Sequence, residues 1–402
     1  DGKMYMEDLA AVRPQRTTIM GPKLMLLETL AAYPGDIPDV DVVFSQWDNP
    51  VVSKHRERRR SKNESFWSSG DEKWIDLGPP PVFSPSTGED WLDVPFPDYT
   101  FRYPSANRYK TDDWDTAMSK ILAASREPRN AWEKKLDRAL FSGNCNQPET
   151  SPRPRLLKVA AAHPELIFVN KIVAGTDESR KSCVHDVFQG DDALEAGGRG
   201  AVVDRCSFRM EEVCRYKYLI NVSPGGSYTG RLKYLFLCDS VVLHVKYGGN
   251  VREFYETGLE SGVHYVGVND VEGLPAAVEA LRKDPARARR IAAAGQAHFT
   301  RMGQSVVRRY VRDLLVAYAA LQRFTPKVGA RSLRIACEDD LHRRYGRPDF
   351  IAEDNSTCAG GMVGDDTSQG PGFGGAFDGT TVPCELEGPP EDWEMWCSQR
   401  SV

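Results

Sequence analysis

The stretch of this 402-residue chain best equipped for chemistry runs from Tyr216 to Val245. Its first seven residues, Tyr216-Lys217-Tyr218-Leu219-Ile220-Asn221-Val222, read as a buried strand, being aromatic and branched aliphatic. Ser223-Pro224-Gly225-Gly226-Ser227 reads as a turn, and a helix is predicted over 231–238. A helix start offers unpaired backbone N–H groups, and an arginine beside it adds a forked cationic donor. Arg231 is therefore placed to clamp a diphosphate, with Lys233 adding positive potential. The turn is neither G-x-G-x-x-G nor G-x-x-x-x-G-K-[ST], so a dinucleotide oxidoreductase and a P-loop NTPase both lose support. Asp39-Val40-Asp41 and Asp113-Trp114-Asp115 match D-x-D literally. The first pair brackets the start of a strand and the second opens a helix, so no metal is expected at either. The nine cysteines contain no C-x-x-C pair, which argues against a zinc ribbon or a thioredoxin-type site, and their odd number forbids complete internal pairing.

The elements that must hold these residues alternate. A helix is predicted over 24–30 and a strand over 40–44, ending in the turn-like Ser45-Gln46-Trp47-Asp48-Asn49-Pro50. Residues 54–76 look inserted, and their basic run 54–62 reads as a solvated loop or a contact for an acidic partner. The proline- and aromatic-rich segment 78–105 reads as an ordered, irregular lining, because its aromatics need burial. Helix is predicted over 112–138. A second α/β pattern starts near Leu140, with a helix over 155–162, strands over 216–222, 240–245 and 264–268, and helices over 272–283, 284–298 and 304–323. Strands alternating with helices imply parallel sheets. Beyond about 327 the periodicity stops, and residues 353–394 hold ten acids and no lysine or arginine, as an irregular acidic tail would.

Composition bounds the class. The net charge of -5 and pI near 5.9 argue against a general nucleic-acid or anionic-membrane binder. Without the acidic stretch the remaining chain carries +5, which suits an anionic small molecule. No run of 18 apolar residues occurs, so no membrane span is expected in this chain. Three sequons, at Asn63, Asn221 and Asn355, permit a secretory route.

The residues also carry a resemblance. The strand Tyr216–Val222, followed by Gly230-Arg231-Leu232-Lys233-Tyr234-Leu235-Phe236-Leu237-Cys238, resembles the signature of the capsule-associated-protein type glycosyltransferases, glycosyltransferase family 90. That family includes the Rumi-type protein O-glucosyltransferases. Glu253-Phe254-Tyr255, Val263-His264-Tyr265-Val266 and Ile291-Ala292-Ala293-Ala294-Gly295 follow in the family's order. Upstream, the 40–44 strand with Asp48 and Pro50, Pro81-Val82-Phe83-Ser84 and Tyr99-Thr100-Phe101 match as well. The likeness covers about residues 18–325. It implies a GT-B arrangement, in which two Rossmann-like domains face each other across a cleft. The acceptor domain would span 1–138 and the nucleotide-sugar domain 139–326, with the last helix crossing back and the tail over 327–402.

The resemblance further implies an inverting, metal-independent transfer of glucose or xylose from a UDP-sugar to a protein Ser/Thr or a glycan hydroxyl. No cofactor is implied beyond that co-substrate, and the place of action would be the ER or Golgi lumen, or outside the cell. Asp48 would be the base, because inverting transfer must take a proton from the acceptor hydroxyl. Arg231, Gly230 and Lys233 would hold the departing diphosphate, joined by Gly143, Asn144 and Arg153, with Arg155 as the rival of Arg153. Glu253 would bind ribose hydroxyls; Tyr99 and Phe101 would face the acceptor. His264 reads as structural. Asp239 stands where the family has glycine, and Ser142 replaces a usual basic residue. The alternative is a glycosyltransferase-like protein without activity, with the basic loop and acidic tail as contacts.

Overall fold

The structure is a computed structural model that describes residues 2–6, 16–45, 47–54, 67–68, 82–103, 113–145, 147–172, 202–205, 210–224, 228–245, 251–330 and 332–345. Most of the basic run 54–62 and all of the acidic stretch 353–394 lie outside the described residues.

The N-terminal half comprises β1 (Met4–Met6), α1 (Arg16–Ala32), β2 (Val43–Phe44), β3 (Val52–Ser53), β4 (Trp67–Ser68), β5 (Val82–Ser84), β6 (Val94–Pro95) and α2 (Trp114–Ser125). Strands β2, β5 and β6 form a three-stranded parallel sheet in that order, and β3 pairs with β4. The strand expected over 40–44 is only its last two residues. The Gln322 amide occupies the Asp41 backbone, donating to its carbonyl at 2.6 Å and accepting from its N–H at 3.3 Å, so no ladder forms there.

The helix expected to 138 ends at Ser125. Pro128 has no N–H to continue the ladder and disfavours a helical residue before it. Two 3₁₀ turns follow, Pro128–Asn130 and Trp132–Lys134. The expected boundary at 138/139 consequently falls inside a strand.

That strand, β7 (Leu136–Gly143), opens the C-terminal half. It is followed by α3 (Pro152–Ala162), β8 (Ile167–Ile172), β9 (Val202–Arg205), α4 (Met210–Val213), β10 (Tyr216–Val222), α5 (Leu232–Phe236), β11 (Val241–Val245), β12 (Val266–Val268), α6 (Leu274–Lys283) and α7 (Pro285–Phe299). The six strands form one all-parallel sheet ordered β9-β8-β7-β10-β11-β12. In chain order that is 3-2-1-4-5-6, the doubly wound order, with its reversal between β7 and β10.

Side chains alternate across the sheet as pleating requires. Leu140, Phe168, Leu219 and Val242 join the core shared with α1, α2 and α5. Phe141, Val169, Ile220 and Leu243 join the opposite core, closed by Leu156, Val278 and Ile291 from α3, α6 and α7. Asp239, where the resemblance expects glycine, takes a left-handed backbone, φ 52°, of the kind glycine adopts without strain; Arg289 pairs with its carboxylate.

Helix α8 (Gln304–Leu321) crosses back to the N-terminal half, as the resemblance implies. Tyr318 meets the Phe83 ring edge-on at 5.2 Å, and the Tyr310 hydroxyl donates to the Pro95 carbonyl at 2.7 Å. The irregular stretch expected from 327 contains two further elements, β13 (Leu333–Ile335) and α9 (Glu338–Tyr345). β13 pairs antiparallel with β1, and Arg102 bridges Glu28 at 2.6 Å and Glu338 at 3.1 Å. Their partners lie at the other end of the chain, so no local periodicity could announce them. Cys214 and Cys238 form a disulfide. No helix among the described residues is long and apolar enough to cross a membrane.

Candidate functional site

Open doubly wound sheets bind ligands outside the carboxyl ends of the strands, where the strand order reverses. At that point β7 ends in Ser142-Gly143 and β10 ends in Val222. Arg231 donates to the Ser142 carbonyl, and its guanidinium lies 4.9 Å over the Phe141 ring. Arg153, buried in the first turn of α3, donates from Nε to the Val222 carbonyl at 3.0 Å and from Nη1 to the Asn144 carbonyl at 3.1 Å. Its guanidinium lies 5.6 Å from the same ring. Two cations therefore flank one phenylalanine, and among the described residues their hydrogen bonds go to carbonyls at the strand ends rather than to carboxylates. Burial first, and the Arg153 charge second, push the Arg231 pKa down to about 9. Burial brings Arg153 down to about 10. An incoming dianion would relieve both desolvation and repulsion, which is the electrostatic definition of an anion site.

Gly143 is required by this approach: a Cβ there would sit 2.5 Å from Arg231 Nη2 and 2.8 Å from the Phe141 ring. Arg155, the sequence rival of Arg153, is committed elsewhere, with Asp270 at 2.5 Å and Glu272 through Nε at 3.0 Å. The helix expected over 231–238 is only Leu232–Phe236. It is too short to supply a helix-end anion site, so the positive potential comes from guanidinium groups.

Lys233, expected beside Arg231 at the anion, turns inward. Its side chain is fully buried and its ammonium meets Asp98 at 2.8 Å and the Gly230 carbonyl at 2.9 Å. Gly230 packs against the same carboxylate, since a Cβ would lie 2.8 Å from Asp98 Oδ2. Glu253 is buried and caps the 3₁₀ turn Phe254–Gly258 in a reciprocal box with Glu256. The Tyr255 hydroxyl donates to Glu253 Oε2, while Oε1 is buried with no hydrogen-bond partner among the described residues. Burial holds the Glu253 carboxyl well above the usual range, opposed by the Lys233 charge.

On the other side, the Asp48 turn is fastened by its neighbours. Ser45 N–H donates to the Phe83 carbonyl at 2.8 Å, and Ser86 Oγ donates to the Asp48 carbonyl at 3.2 Å. The buried Asp93 carboxylate accepts from Val51 and Val52 N–H at 2.8 and 2.7 Å, pinning the chain just after Pro50. Asp48 lines a small hollow with Phe44, Phe83, Phe96, Tyr99 and Tyr228. Its surface is reached by water, yet the concave wall desolvates it; that effect first, and the Asp98 charge second, raise its pKa above the ordinary aspartate value.

Tyr99 lies on this hollow, but Phe101 does not. The turn Tyr99–Phe101 points them apart, and Phe101 is buried against Trp114 and Phe254 at 5.0 and 5.4 Å. Sequence reasoning missed two neighbours of Asp48. Trp47 is 73% exposed beside it, and Asp98 lies buried behind it. Asp98 carried no local signal, because its partner is 135 residues away.

The remaining candidates have structural employment. Asp113 caps α2 through Thr116 N–H at 2.7 Å, and Asp115 accepts from Gln304 N–H at 2.7 Å. His264 accepts from Glu260 N–H at 3.0 Å and packs on His298. Asn221 is buried and bonded to Thr229 and His244, so its sequon is closed to modification in the folded chain.

The family model described as Glycosyl transferase family 90 matches residues 1–349. An O-glucosyltransferase rumi homolog of Anopheles gambiae is 30% identical over 298 residues, covering 72% of this chain and 63% of that protein. Protein O-glucosyltransferase 1 of Homo sapiens is 27% identical over 244 residues, covering 58% of this chain and 50% of that one. The chain thus spans about half to two-thirds of the length of these relatives. A solved glycosyltransferase of Rickettsia africae superposes at a TM-score of 0.39, with 9% identity over 77% of this chain and 83% of that one. A likeness that loose decides nothing about the site.

Proposed function

Because this chain belongs to glycosyl transferase family 90, we propose that it transfers glucose or xylose from a UDP-sugar to a hydroxyl of a protein Ser/Thr or a glycan. The donor diphosphate lies between Arg231 and Arg153, close to Gly143 and Asn144, with Glu253 toward the ribose. The acceptor enters from the Asp48 and Tyr99 side, between the two halves, in a GT-B arrangement. Asp48 takes the proton of the acceptor hydroxyl. The freed oxygen pair attacks the anomeric carbon from the face opposite the phosphate, the carbon–oxygen bond to phosphate breaks, and its electron pair leaves with UDP. The anomeric configuration inverts. Negative charge builds on the diphosphate as it leaves, so prepaid guanidinium positions favour the transition state. A raised Asp48 pKa makes its ionised form a stronger base, closer to the working pH. No metal enters this scheme, because the two arginines carry the leaving-group charge.

The observation that carries the reading is the pair of guanidinium groups, Arg153 buried and Arg231 half-buried, that meet no carboxylate among the described residues at the reversal point of the parallel sheet. The disulfide between Cys214 and Cys238 favours an oxidising compartment, in keeping with a secretory lumen. The test is turnover of a UDP-sugar panel with peptide and glycan acceptors. UDP-glucose or UDP-xylose should be consumed, and Asp48→Asn should abolish transfer while UDP affinity, read by calorimetry, stays near wild type. Normal turnover by that variant refutes the base assignment. UDP binding without turnover of any donor favours the inactive, interaction-only alternative.

A further inference from the structure

Asp98 and Lys233 form an ion pair in which neither side chain is exposed to solvent, at 0% each. The pair joins two segments far apart in sequence. Asp98 precedes the turn that carries Tyr99, and Lys233 lies two residues after Arg231. Every remaining bond at the pair tightens the same joint. Thr100 Oγ1 donates to the Asp98 carboxylate at 2.9 Å, and the Lys233 ammonium also binds the Gly230 carbonyl at 2.9 Å and lies 4.5 Å over the Phe101 ring. The Tyr234 hydroxyl donates to the Thr100 carbonyl at 3.3 Å. Gly230 leaves no room for a side chain against Asp98 Oδ2, so its backbone closes directly onto the carboxylate.

A buried pair of this kind is seldom a net source of stability, since desolvation offsets attraction. A specific geometric role is the better reason for one here. We infer that Asp98 is a positioning residue: through Lys233 it fixes the Tyr99 turn against the Arg231 segment, and so sets Asp48 relative to the diphosphate clamp. The inference rests on the proposed transfer for its catalytic meaning. Asp98 does not touch the reacting atoms. The groups facing it are Lys233 and Thr100 directly, with Glu253, Asp48, Tyr99 and Tyr228 within its field. Asp48 feels Asp98 as a like charge, which gives a readout that mere structural support would not move.

The experiment compares wild type, Asp98→Asn and the double variant Asp98→Asn/Lys233→Met. The double variant removes both charges and guards against failure to fold. Asp48 is followed by carboxyl-carbon NMR titration in the unliganded protein, and transfer by kcat and KM across pH. The Asp48 midpoint should fall toward the ordinary aspartate value in both variants. The acid limb of kcat/KM should move down with it, and kcat should drop roughly ten- to hundredfold, as misplacement by about 1 Å does. A folded double variant with an unmoved Asp48 midpoint and wild-type kcat overturns the inference. If wild type transfers nothing, the transfer reading fails on its own, and the titration still decides whether Asp98 acts on Asp48.

Discussion

Gly143→Ala separates the folding role of the donor turn from its binding role. The added methyl would sit 2.5 Å from Arg231 Nη2, 3.1 Å from Nη1 and 2.8 Å from Phe141 Cζ. Ordinary heavy-atom contact begins near about 3.5 Å, so the guanidinium must retreat by about 1 Å. Arg231 is the flexible partner and yields first, leaving its carbonyl contact at Ser142. Overpacking of this size costs folding about 1–3 kcal/mol. The displaced fork also gives up at least one charge-assisted hydrogen bond to a diphosphate, worth about 1.5–3 kcal/mol. UDP affinity should therefore fall roughly 10- to 150-fold. Calorimetry with UDP reads the binding, and a thermal melt confirms that the variant is folded. The cycle with Arg231→Ala is the sharper check: in that background Gly143→Ala should keep its stability cost, through Phe141, but lose its effect on UDP. A folded Gly143→Ala protein with wild-type UDP affinity, or fully additive binding losses in the cycle, refutes the argument.

Four further outcomes follow from the same structure. Removing the disulfide by Cys214→Ala/Cys238→Ala reopens a loop of sequence separation 24; denaturant melts should show a loss of about 3 kcal/mol. Gly295→Ala would place a methyl 2.6 Å from the His264 carbonyl and 3.0 Å from Phe236 Cδ1, neither of which yields easily. Its melt should fall by about 1–3 kcal/mol while UDP binding is kept. Burial raises the Glu256 carboxyl pKa to about 7, so the folded state prefers the protonated acid. That contribution is whole below the ordinary glutamate value of 4.5 and is lost as pH rises through about 7; Glu256→Gln, which keeps the capping acceptor, should flatten this decline in urea midpoints. Finally, the acid limb of kcat/KM should sit above the ordinary aspartate value of 3.8, reflecting the raised Asp48, and a limb at or below it contradicts the environment described.

The parts of the chain that could be read in advance are those whose partners lie close in sequence. Strand Tyr216–Val222 matches its expectation residue for residue, and helices Leu274–Lys283 and Pro285–Phe299 fall within about two residues of theirs. Each is announced by apolar periodicity or by Pro and Gly at its ends. The errors have the opposite character. The strand at 40–44 lost its first residues to the glutamine that follows α8, and the helix at 231–238 shrank to five residues between Gly230 and a disulfide. Lys233 and Phe101 are the instructive site residues: composition and motif placed them at ligands, and packing turned both inward.

Residue types alone determined that this is an α/β chain with parallel sheets and that Asp48 stands just past a strand, and they offered Arg231 as a candidate for an anion site. These are local properties, set by side-chain chemistry and the periods of helix and strand. Only the tertiary structure set Arg153 apart from Arg155, since the first finds the Val222 carbonyl at a strand end and the second finds Asp270. Only it showed that β13 closes on β1 and that Asp98 meets Lys233. Burial and ion pairing join groups across hundreds of residues of chain, and their energies depend on three-dimensional distance and desolvation, neither of which is written in the spacing of letters.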